Sequence, residues 1–350
     1  MSFSSIVKAL VLFTVAVTAI VLIELRRPRN LKLRLSHVPN NAQANRNSSR
    51  KSYGDVAKAP VEPTKRITPL RPKEVACPVE PPGLVGKIKV DENVHVDLDA
   101  MRKENKDLEE GGHFRPLNCT PQSSIAVIIP FRDREAHLKV FLHYMLPMFK
   151  RQLLEFRIYV IEQADKRVFN RGAIFNVGFI EAMKDMKYGC VALHDVDLIA
   201  ENDHNMYACP GDKPLHLSAL IHRYGHEWRP YYSNFGGAAI LTTDQYKTVD
   251  GFSNVFWGWG GEDDDMNLRL ARHKVGRKRL SESLGVYTML VQHHTRAPGN
   301  KKGMDLAKSG PQRYDYDGLH SVKYKVVERV LDRLYTRIKV ELGDMEVKNN

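Results

Sequence analysis

Alternating apolar segments in the middle of the chain constrain its fold more than any other feature of its 350 residues. Three segments are short, continuous and apolar, as buried strands are, and two others space their apolar residues at helical intervals. This alternation predicts an α/β domain with a largely parallel sheet flanked by helices, whose ligand site lies at the carboxyl ends of the strands. The pattern predicts strands over 125–131, 156–161 and 190–193, and helices over 137–152, interrupted by Pro147, and over 170–186.

The run at 257–265 combines two tryptophans, three glycines and four consecutive carboxylates. Glycine lets the backbone approach a ligand closely, an indole offers a flat apolar face to a sugar ring, and a carboxylate accepts hydroxyl hydrogen bonds and protons. A simpler interpretation is the acidic first turn of a helix that continues to Ala271, where the helix dipole favours negative charge. Because that interpretation explains neither tryptophan, the run predicts sugar binding with base catalysis.

Short polar patterns follow two of the predicted strands. Asp195 and Asp197 follow the third strand, and alternate carboxylates on one face offer the hard oxygen ligands that divalent cations prefer. Residues 130–134 follow the first strand and carry two arginines that could bind phosphate or a nucleobase. An Asp-x-Asp pattern also arises by chance, and an arginine-rich turn can simply be solvated.

Residues 169–171 place an aromatic ring and a guanidinium at the start of a predicted helix. Backbone donors at a helix start favour anions, so the pattern is compatible with phosphate binding. Capping of the helix by Asn170 explains part of the pattern without a ligand.

The N-terminal residues predict a membrane anchor. Residues 9–23 are apolar and uncharged, and extension back to Ile6 gives a segment long enough to span a bilayer. A cleaved signal peptide is the alternative, but no small-residue cleavage pattern follows the segment. We therefore expect a short cytoplasmic tail at 1–5, a transmembrane signal-anchor at 6–25, a flexible stem at 26–76 and a luminal catalytic domain at 77–350.

The orientation of this anchor cannot be taken from charge alone. Basic residues cluster after the segment, so the positive-inside rule by itself would place the body of the chain in the cytosol. Sequons at Asn47 and Asn118, in contrast, have meaning only in a secretory compartment. The four cysteines fit no tight zinc spacing and suit two disulfides. Of the three possible pairings we favour Cys77 with Cys119 and Cys190 with Cys209.

The formal net charge of +12 raises the alternative of nucleic-acid binding. Many basic residues lie in the predicted stem, and they are not interleaved with a recognisable RNA or DNA module. A solvated basic linker is the simpler explanation, and we expect no nucleic-acid partner.

In this order, the motifs resemble those of the β-1,4-galactosyltransferase family, which includes β-1,4-N-acetylgalactosaminyltransferases. The resemblance covers residues 77–342. It implies a type II Golgi membrane protein with a luminal catalytic domain of the GT-A fold, and it overrides the charge count for topology. All four cysteines also match family positions that form disulfides. The most specific motifs are residues 169–171, 176–179, 194–198, 235–237 and 257–265.

The resemblance implies a role for each matched residue. Asp263 matches the catalytic base, which would take the proton of an acceptor 4-hydroxyl while the donor's anomeric centre is inverted. The family binds its acceptor at the positions of Trp259, Gly260, Glu262 and Asp264. It binds its UDP-sugar donor at the positions of Pro130, Phe131, Arg132, Arg134, Phe169, Arg171, Asp195, Asn234 and Trp259.

The resemblance also implies a manganese ion that neutralises charge on the departing UDP. Asp197 and Met289 match two of its ligands. The third ligand of the family is a histidine three residues after the methionine, where this chain has Gln292 followed by His293 and His294. A one-residue shift assigns His293, with Gln292 and His294 as the alternatives. Thioether sulfur is a soft partner for manganese, and Met289 could instead be a core strand residue.

Residues 295–316 follow these ligands and are polar and rich in glycine, proline and lysine. In the family this segment closes over donor and metal, and its length suits a mobile lid. We expect the same role here.

One departure from the family bears on the donor. Many of its galactosyltransferases have a tyrosine directly before the Phe-Gly-Gly motif, where it crowds the donor's C2 substituent, whereas this chain has Asn234. The shorter amide leaves room for an N-acetyl group, so we predict UDP-GalNAc over UDP-Gal, with β1-4 transfer to terminal GlcNAc of glycoprotein or glycolipid glycans. If neighbouring side chains refill the space, galactose remains the preferred sugar. A non-catalytic, membrane-tethered sugar-binding protein is a further alternative, against which the intact Asp197 and Asp263 argue.

Overall fold

The computed structural model describes residues 75–231, 233–291 and 303–345, which belong to a unit spanning Pro69–Asn350. The predicted tail, the anchor and most of the stem, together with Asn47 and His293, lie outside these residues. Within the described ranges, no helix is both long enough and apolar enough to cross a membrane.

The described residues form two sheets and several helices. In chain order the strands are β1 (Ser124–Phe131), β2 (Glu155–Gln163), β3 (Cys190–His194), β4 (Leu198–Ala200), β5 (Leu215–His216), β6 (Leu220–Arg223), β7 (His226–Trp228), β8 (Ala238–Thr242), β9 (Lys278–Arg279), β10 (Val286–Met289), β11 (Tyr324–Leu331) and β12 (Thr336–Leu342). The α-helices are α1 (Leu98–Glu104), α2 (Glu135–Arg151), α3 (Arg171–Asp185), α4 (Thr243–Thr248), α5 (Glu262–Arg272) and α6 (Gly303–Lys308), and short 3-10 helices lie at Gly310–Gln312 and Leu319–Ser321.

The larger sheet has a parallel centre and antiparallel neighbours, in the order β11-β12-β2-β1-β3-β8-β5-β9. The strands β12, β2, β1 and β3 run parallel, and the sequence predicts the last three of them. Outside this centre β5 and β9 are parallel, but the prediction of a largely parallel sheet is wrong for β11, which runs antiparallel to β12, and for β8, which runs antiparallel to β3 and β5. Only residues 332–335 connect β11 to β12, which permits a hairpin but no crossover helix.

The strand β1 is buried on both faces, which explains its continuous apolar sequence. Val127 lies in a core cluster with residues of α2, and its neighbour Ile128 lies in a second cluster with residues of α3. Gly178 lets α3 approach closely, since a Cβ at this position would lie 2.3 Å from Ile128 Cγ2. Helices on both faces therefore hold the carboxyl end of β1 in place.

The helix predicted at 170–186 is α3, and Asn170 caps it by accepting the Ala173 N–H at 2.9 Å. The predicted interruption at Pro147 is wrong, because α2 continues through this proline to Arg151. Proline removes one intrahelical hydrogen bond, but the helix buries a wide apolar face whose packing outweighs that loss. The buried residues on either side of the proline are Met145, Leu146, Met148 and Phe149.

The smaller sheet has the order β4-β10-β6-β7 and lies beside the segment that follows β3. Met289 on β10 is opposite Leu198 on β4, and the Leu290 N–H donates to the Asp197 carbonyl at 2.7 Å. This pairing makes Asp197 and Met289 neighbours although they are far apart in sequence.

Both favoured disulfides are confirmed. Cys77–Cys119 ties the start of the described residues to the segment before β1, with Cα atoms 4.9 Å apart. Cys190–Cys209 ties the start of β3 to the segment before β5, with Cα atoms 5.4 Å apart. Paired thiols of this kind are typical of proteins that fold in an oxidising compartment.

Candidate active site

A cavity of about 510 Å³ opens at the carboxyl ends of β1 and β3, where the sequence predicts ligand binding. The segments after both strands, the start of α3, the first turn of α5 and the end of β10 form its walls. Of the predicted site residues, the following line the cavity: Pro130, Arg132, Arg134, Phe169, Arg171, Asp195, Asp197, Trp259, Glu262, Asp263 and Met289.

The acidic run begins a helix, as its simpler interpretation predicts, and it also reaches the cavity. Gly260 and Gly261 have left-handed φ values of 108° and 99°, and α5 begins directly after them at Glu262. A Cβ at Gly261 would lie 2.6 Å from the Gly303 carbonyl oxygen, so both the backbone conformation and the space require glycine. Successive helical residues turn by about 100°, and the four carboxylates therefore face different surroundings.

Arg171 connects three cavity carboxylates from the first residue of α3. Its Nε donates to Asp195 Oδ1 at 2.6 Å, and its Nη1 donates to Asp263 Oδ1 at 2.7 Å. Glu262 Oε1 lies 3.5 Å from the same Nη1. Burial acts in the opposite direction, but these carboxylates raise the pKa of the guanidinium, which stays charged. The resemblance implies that Arg171 holds the uracil, whereas here its guanidinium is shared among carboxylates.

Two of these carboxylates are disfavoured as anions. Burial, followed by the charge of Asp263, raises the pKa of Glu262, and Glu262 Oε2 is buried without a hydrogen-bond partner among the described residues. Burial also raises the pKa of Asp195, although Arg171 acts in the opposite direction. A positive charge brought near them would recover part of this desolvation cost. This end of the cavity therefore favours a cation or a hydrogen-bond donor.

Gly236 lies against the predicted catalytic base. A Cβ at Gly236 would lie 2.0 Å from Asp263 Oδ2, a distance at which the carboxylate would have to move. This close approach explains why a glycine, which has no Cβ, occupies position 236 in the Phe-Gly-Gly motif. The position of the Asp263 carboxylate depends on the absence of a side chain at this glycine.

Asp264 does not line the cavity, because side chains from a preceding loop cover it. Tyr231 donates its hydroxyl to Asp264 Oδ2 at 2.7 Å, and Ser233 donates to Oδ1 at 3.0 Å. The sequence did not single out either residue, since no short motif links them to the acidic run. Asp264 keeps its predicted acceptor role only if the acceptor reaches it through or beside this loop.

Arg132 holds the segment that carries Phe169. Its guanidinium donates to the carbonyls of Gln163, Asp165 and Arg167 at 3.2, 2.9 and 2.7 Å, and it lies 5.5 Å from the centre of the Phe169 ring. These contacts within the protein fix one wall of the cavity.

Phe131 does not line the cavity. Its side chain is fully buried in the core, and the Arg337 guanidinium lies 4.9 Å from its ring centre. Alternation along β1 turns Phe131 inward while Pro130 and Arg132 reach the cavity. The predicted contact of Phe131 with the donor is therefore wrong for its side chain, and only its backbone lies near the site.

Asn234 is also absent from the cavity wall. It is 9 % exposed, and its Oδ1 accepts the Gly236 N–H at 3.1 Å. An N-acetyl N–H that donated to this amide oxygen would therefore compete with a contact inside the residue's own loop.

Asp197 and Met289 are the two predicted metal ligands among the described residues. Both line the cavity: Asp197 lies directly before β4, and Met289 is the last residue of the neighbouring strand β10. No cluster of three or more histidine, cysteine, aspartate or glutamate side chains suited to a metal occurs in the described ranges. The Asp197 carboxylate is a ligand type that manganese prefers, whereas the Met289 thioether is a soft ligand that contributes less. His293, the third predicted ligand, lies outside the described residues.

Asp265, the last acid of the run, faces away from the cavity. Arg269 Nε donates to its Oδ2 at 2.8 Å and Arg313 Nη2 donates to its Oδ1 at 3.0 Å. The arginines also pair with Asp317, and all four side chains are at most 4 % exposed. This buried cluster attaches α5 to the second half of the predicted lid, whose residues 303–316 include α6 and a 3-10 turn. Residues 295–302 of that lid lie outside the described ranges.

The cavity also contains residues that the sequence patterns did not identify. Lys166, Arg167 and Val168 line it directly before Phe169, and the Arg167 guanidinium lies 4.8 Å from a ring centre of Trp257. In the sequence, only their position directly before the Phe-Asn-Arg motif indicates that they lie at the site. Asn118 is exposed near the Cys77–Cys119 disulfide, and its glycosylation stays a prediction.

Comparisons with known proteins agree on one family. A model described as the N-terminal region of glycosyl transferase group 7 matches residues 77–210, and one described as the N-terminal domain of galactosyltransferase matches residues 216–294. Rat beta-1,4-galactosyltransferase 3 is 38 % identical over 296 residues, which are 83 % of this chain and 74 % of the rat protein. Mouse beta-1,4-galactosyltransferase 2 is 39 % identical over 295 residues, which are 81 % and 77 % of the two chains.

A solved structure supports the fold. The catalytic domain of Drosophila beta-1,4-galactosyltransferase 7 with xylobiose matches with a TM-score of 0.55 and 28 % identity, over 64 % of this chain and 95 % of that one. A mutant of the fly enzyme in complex with manganese, UDP-Gal and xylobiose matches with a TM-score of 0.54, at the same identity and coverage. The mixed α/β, GT-A-like fold is thereby confirmed.

Proposed function

The chain belongs to glycosyltransferase group 7, the family of the β-1,4-galactosyltransferases, and from this premise we propose that it transfers galactose from UDP-galactose in β1-4 linkage to terminal GlcNAc. The activity named for the similar enzymes and the UDP-Gal complex of the fly enzyme support galactose as the sugar. The observation that carries the proposal is the placement of Asp263, which reaches the cavity from the first turn of α5 with Gly236 against its carboxylate.

Asp263 is the general base of this proposal. The oxygen of the acceptor's 4-hydroxyl forms a bond to the anomeric carbon of galactose, and the bond from that carbon to the β-phosphate oxygen of UDP breaks. The hydroxyl proton passes to the Asp263 carboxylate. Attack from the face opposite UDP inverts the anomeric centre. The Arg171 contact at 2.7 Å orients the carboxylate before the acceptor arrives.

The donor's nucleotide is assigned to the wall formed after β1 and before α3. Phe169 offers an aromatic face to the uracil, and Arg132 holds that face through three backbone carbonyls. Arg134 and Arg171 are the predicted cationic contacts to the donor, and both line the same cavity.

Manganese, when bound, would stabilise the negative charge that develops on the diphosphate. The complex of the fly enzyme with manganese supports this cofactor. Asp197 and Met289 would hold the ion, and His293 is the predicted third ligand. Asp195, with its pKa raised by burial, would gain from the added positive charge.

The acceptor sugar is assigned to the part of the cavity lined by Trp259, Glu262 and Asp263. Trp259 is 58 % exposed at the cavity edge, so its indole can stack on a pyranose ring. Glu262 Oε2, which is buried without a partner among the described residues, would accept a hydrogen bond from a sugar hydroxyl. Gly260 gives the backbone freedom beside the indole, and Asp264 would act at the edge of the same subsite.

Transfer of GalNAc is the second candidate, and Asn234 favours it. This residue stands where many galactosyltransferases of the family have a tyrosine, and its side chain folds back to the Gly236 N–H. It therefore adds little bulk on the donor side. The same contact weakens the argument for a hydrogen bond to the N-acetyl group, so galactose is the first choice.

We also propose that the protein is anchored in the Golgi membrane by residues 6–25, with the catalytic domain in the lumen. The two disulfides support an oxidising compartment. Glycosylation of the exposed Asn118, and of Asn47 in the proposed stem, would accompany this topology.

The test is release of UDP by the full chain purified in detergent, with manganese, a GlcNAc acceptor and either UDP-Gal or UDP-GalNAc. We expect higher turnover with UDP-Gal, and Asn234→Tyr should lower turnover with UDP-GalNAc far more than with UDP-Gal. Higher wild-type turnover with UDP-GalNAc would reverse the donor assignment. No transfer from either donor, with acceptor binding retained, would favour a sugar-binding protein.

A further inference from the structure

Arg279 gathers four acceptors from two separate parts of the chain. On β9, its Nε donates to His216 Nδ1 at 3.0 Å, and its Nη1 donates to the Pro230 carbonyl at 2.6 Å. Its Nη2 donates to the carbonyls of Tyr231 and Asn234 at 2.9 and 3.0 Å. Arg279 itself does not line the cavity. A planar guanidinium can satisfy several acceptors at once in a fixed geometry, which a lysine ammonium cannot reproduce.

His216 continues this arrangement on the other side of the same loop. Because Nδ1 accepts from Arg279, the ring carries its proton on Nε2, which donates to the Gly236 carbonyl at 2.8 Å. Ser218 Oγ donates to the same carbonyl at 3.0 Å. Burial, followed by the charge of Arg279, lowers the pKa of His216 to about 3, which keeps the ring neutral.

We call residues 230–237 the covering loop, of which all but Tyr232 are described. Arg279 and His216 together hold the carbonyls of Pro230, Tyr231, Asn234 and Gly236, which are distributed along its length. Four of the seven main-chain oxygens that the structure describes in this loop are therefore held by these two side chains.

The covering loop contacts two carboxylates of the proposed acceptor side. Tyr231 and Ser233 each donate to Asp264, at 2.7 and 3.0 Å. Gly236 leaves room for Asp263, since a Cβ there would lie 2.0 Å from its Oδ2. Displacement of the loop would therefore release Asp264 and alter the space around Asp263.

We propose that Arg279 is a positioning residue that sets affinity for the acceptor sugar by holding the covering loop against Asp264 and Asp263. This inference rests on the proposed function for the identity of the acceptor. The donor's nucleotide wall is built by Arg132 and Phe169, which Arg279 does not contact. Loss of Arg279 therefore affects the acceptor side and leaves nucleotide binding unchanged.

The test compares Arg279→Lys with wild type and with Arg229→Lys as a matched control. Arg229 is an arginine directly before the covering loop whose contacts are surface pairs with Glu227 and Glu282. Binding of N,N′-diacetylchitobiose to the full chain is followed by tryptophan fluorescence, the KM for this acceptor is measured, and the Kd of UDP reports on the nucleotide wall. Melting temperatures of all variants are recorded.

Arg279→Lys should weaken chitobiose binding and raise the acceptor KM by about tenfold or more, because hydrogen bonds to a charged donor are lost. The Kd of UDP should stay within about twofold, and Arg229→Lys should leave the acceptor KM and the Kd of UDP unchanged, since effects on separate contacts are independent. A melting temperature of Arg279→Lys that falls while chitobiose binding and the acceptor KM stay at wild-type levels would mean a purely structural role and would overturn the inference.

Tyr231→Phe provides a second test that does not depend on the stability of Arg279→Lys. It removes the hydroxyl that donates to Asp264 and should weaken chitobiose binding by a similar factor. In the double variant the two effects should be less than additive, because both act through the same contact. Unchanged binding in Tyr231→Phe would overturn the inference even if Arg279→Lys failed to fold.

The binding measurement separates this inference from the proposed function. If wild type binds chitobiose but transfers no sugar, the proposed function fails and the Arg279 inference is judged by binding alone. If wild type neither binds chitobiose nor transfers to it, both are overturned.

Discussion

Asp263 and Asp265 lie two residues apart in the first turn of α5, yet their surroundings are opposite. Asp265 is fully buried, and two arginines, Arg269 and Arg313, bind its two oxygens at 2.8 and 3.0 Å. Asp263 has 21 % of its side chain exposed and a contact of 2.7 Å to Arg171. Fixed arginine donors bind both oxygens of Asp265, whereas the Asp263 carboxylate is accessible from the cavity.

The difference shows that consecutive acidic residues of one helical turn can have different functions. A helix turns successive residues by about 100°, so consecutive carboxylates are delivered to different places. Asp265 attaches α5 to residues 313–317, and its complete burial keeps its carboxylate out of reach of a substrate. Asp263 can accept a proton because its carboxylate is partly exposed to the cavity and is bound, among the described residues, by a single arginine, Arg171. Loss of Asp265 should therefore affect stability, and loss of Asp263 should affect turnover.

The largest expected effect on stability is that of Asp265→Asn. Removal of this charge leaves Arg269 and Arg313 buried and poorly compensated, and breaking a buried pair costs about 3–5 kcal/mol of unfolding free energy. Urea unfolding measures this loss. Turnover per folded molecule should stay within about twofold of wild type, because Asp265 does not line the cavity and the substitution keeps its size.

The matched control for this prediction is Asp212→Asn. Asp212 pairs with Lys278 at 3.0 Å on the surface, where 69 % of the aspartate side chain is exposed. No change in the urea midpoint is expected from this control. Equal losses in the two variants would show that burial of the Asp265 cluster is not what stabilises α5.

The second expected effect is that of Gly236→Ala on turnover. The new Cβ would lie 2.0 Å from Asp263 Oδ2 and must displace the carboxylate. Misplacement of a catalytic group by about 1 Å can lower the rate about a hundredfold, so we expect kcat to fall by that order. Initial rates at saturating donor and acceptor measure it.

Gly211→Ala is the control for this glycine, because nothing lies within 4 Å of a Cβ at that position. It should retain wild-type kcat. A normal kcat in Gly236→Ala would show that Asp263 does not need its observed position.

The smallest expected effect concerns the pH dependence of stability. Burial, then the charge of Arg279, lowers the pKa of His216 from 6.5 to about 3. Between these two values the unfolded chain binds a proton that the folded chain does not bind, so this contribution to stability is complete above pH 6.5 and is lost as the pH falls. By pH 5.5 the loss should be about 1 kcal/mol.

Urea unfolding at pH 7.0 and pH 5.5 measures this effect in wild type and in His216→Gln. Other groups contribute to both proteins, so the informative quantity is the difference between their two pH dependences. His216→Gln should lose less stability on acidification than wild type. An identical decrease in both proteins would contradict the neutral, buried state assigned to His216.

The periodicity of the sequence predicts the elements around the site well. Buried strands beside covering helices require continuous apolar runs, and β1, β2, β3 and α3 occur where those runs are found. The antiparallel placement of β11 and β8 was not predictable in this way, because strand pairing depends on contacts between distant segments. The predicted interruption of α2 at Pro147 was wrong for a related reason, because the helix is held together around this proline by tertiary packing.

In the candidate site, too, residues in recognisable motifs were predictable and residues placed by distant contacts were not. Residues that carry recognisable motifs, such as Asp195, Phe169 and Asp263, do meet in one cavity. Tyr231 and Arg279 belong to no motif, and their contacts span 33 and 48 residues of sequence. Phe131 belongs to a motif but lies in the core, because alternation along a strand also applies inside motifs.

The most direct test of the division between the two carboxylates is to measure kcat for Asp263→Asn and Asp265→Asn on the same preparations of the full chain, with manganese, UDP-Gal and a GlcNAc acceptor. The account predicts that Asp263→Asn lowers kcat by about 10²–10⁴-fold, as expected for removal of a general base, while Asp265→Asn keeps nearly normal turnover per folded molecule. Retention of most of the turnover by Asp263→Asn, or a comparable loss in the two variants, would contradict it.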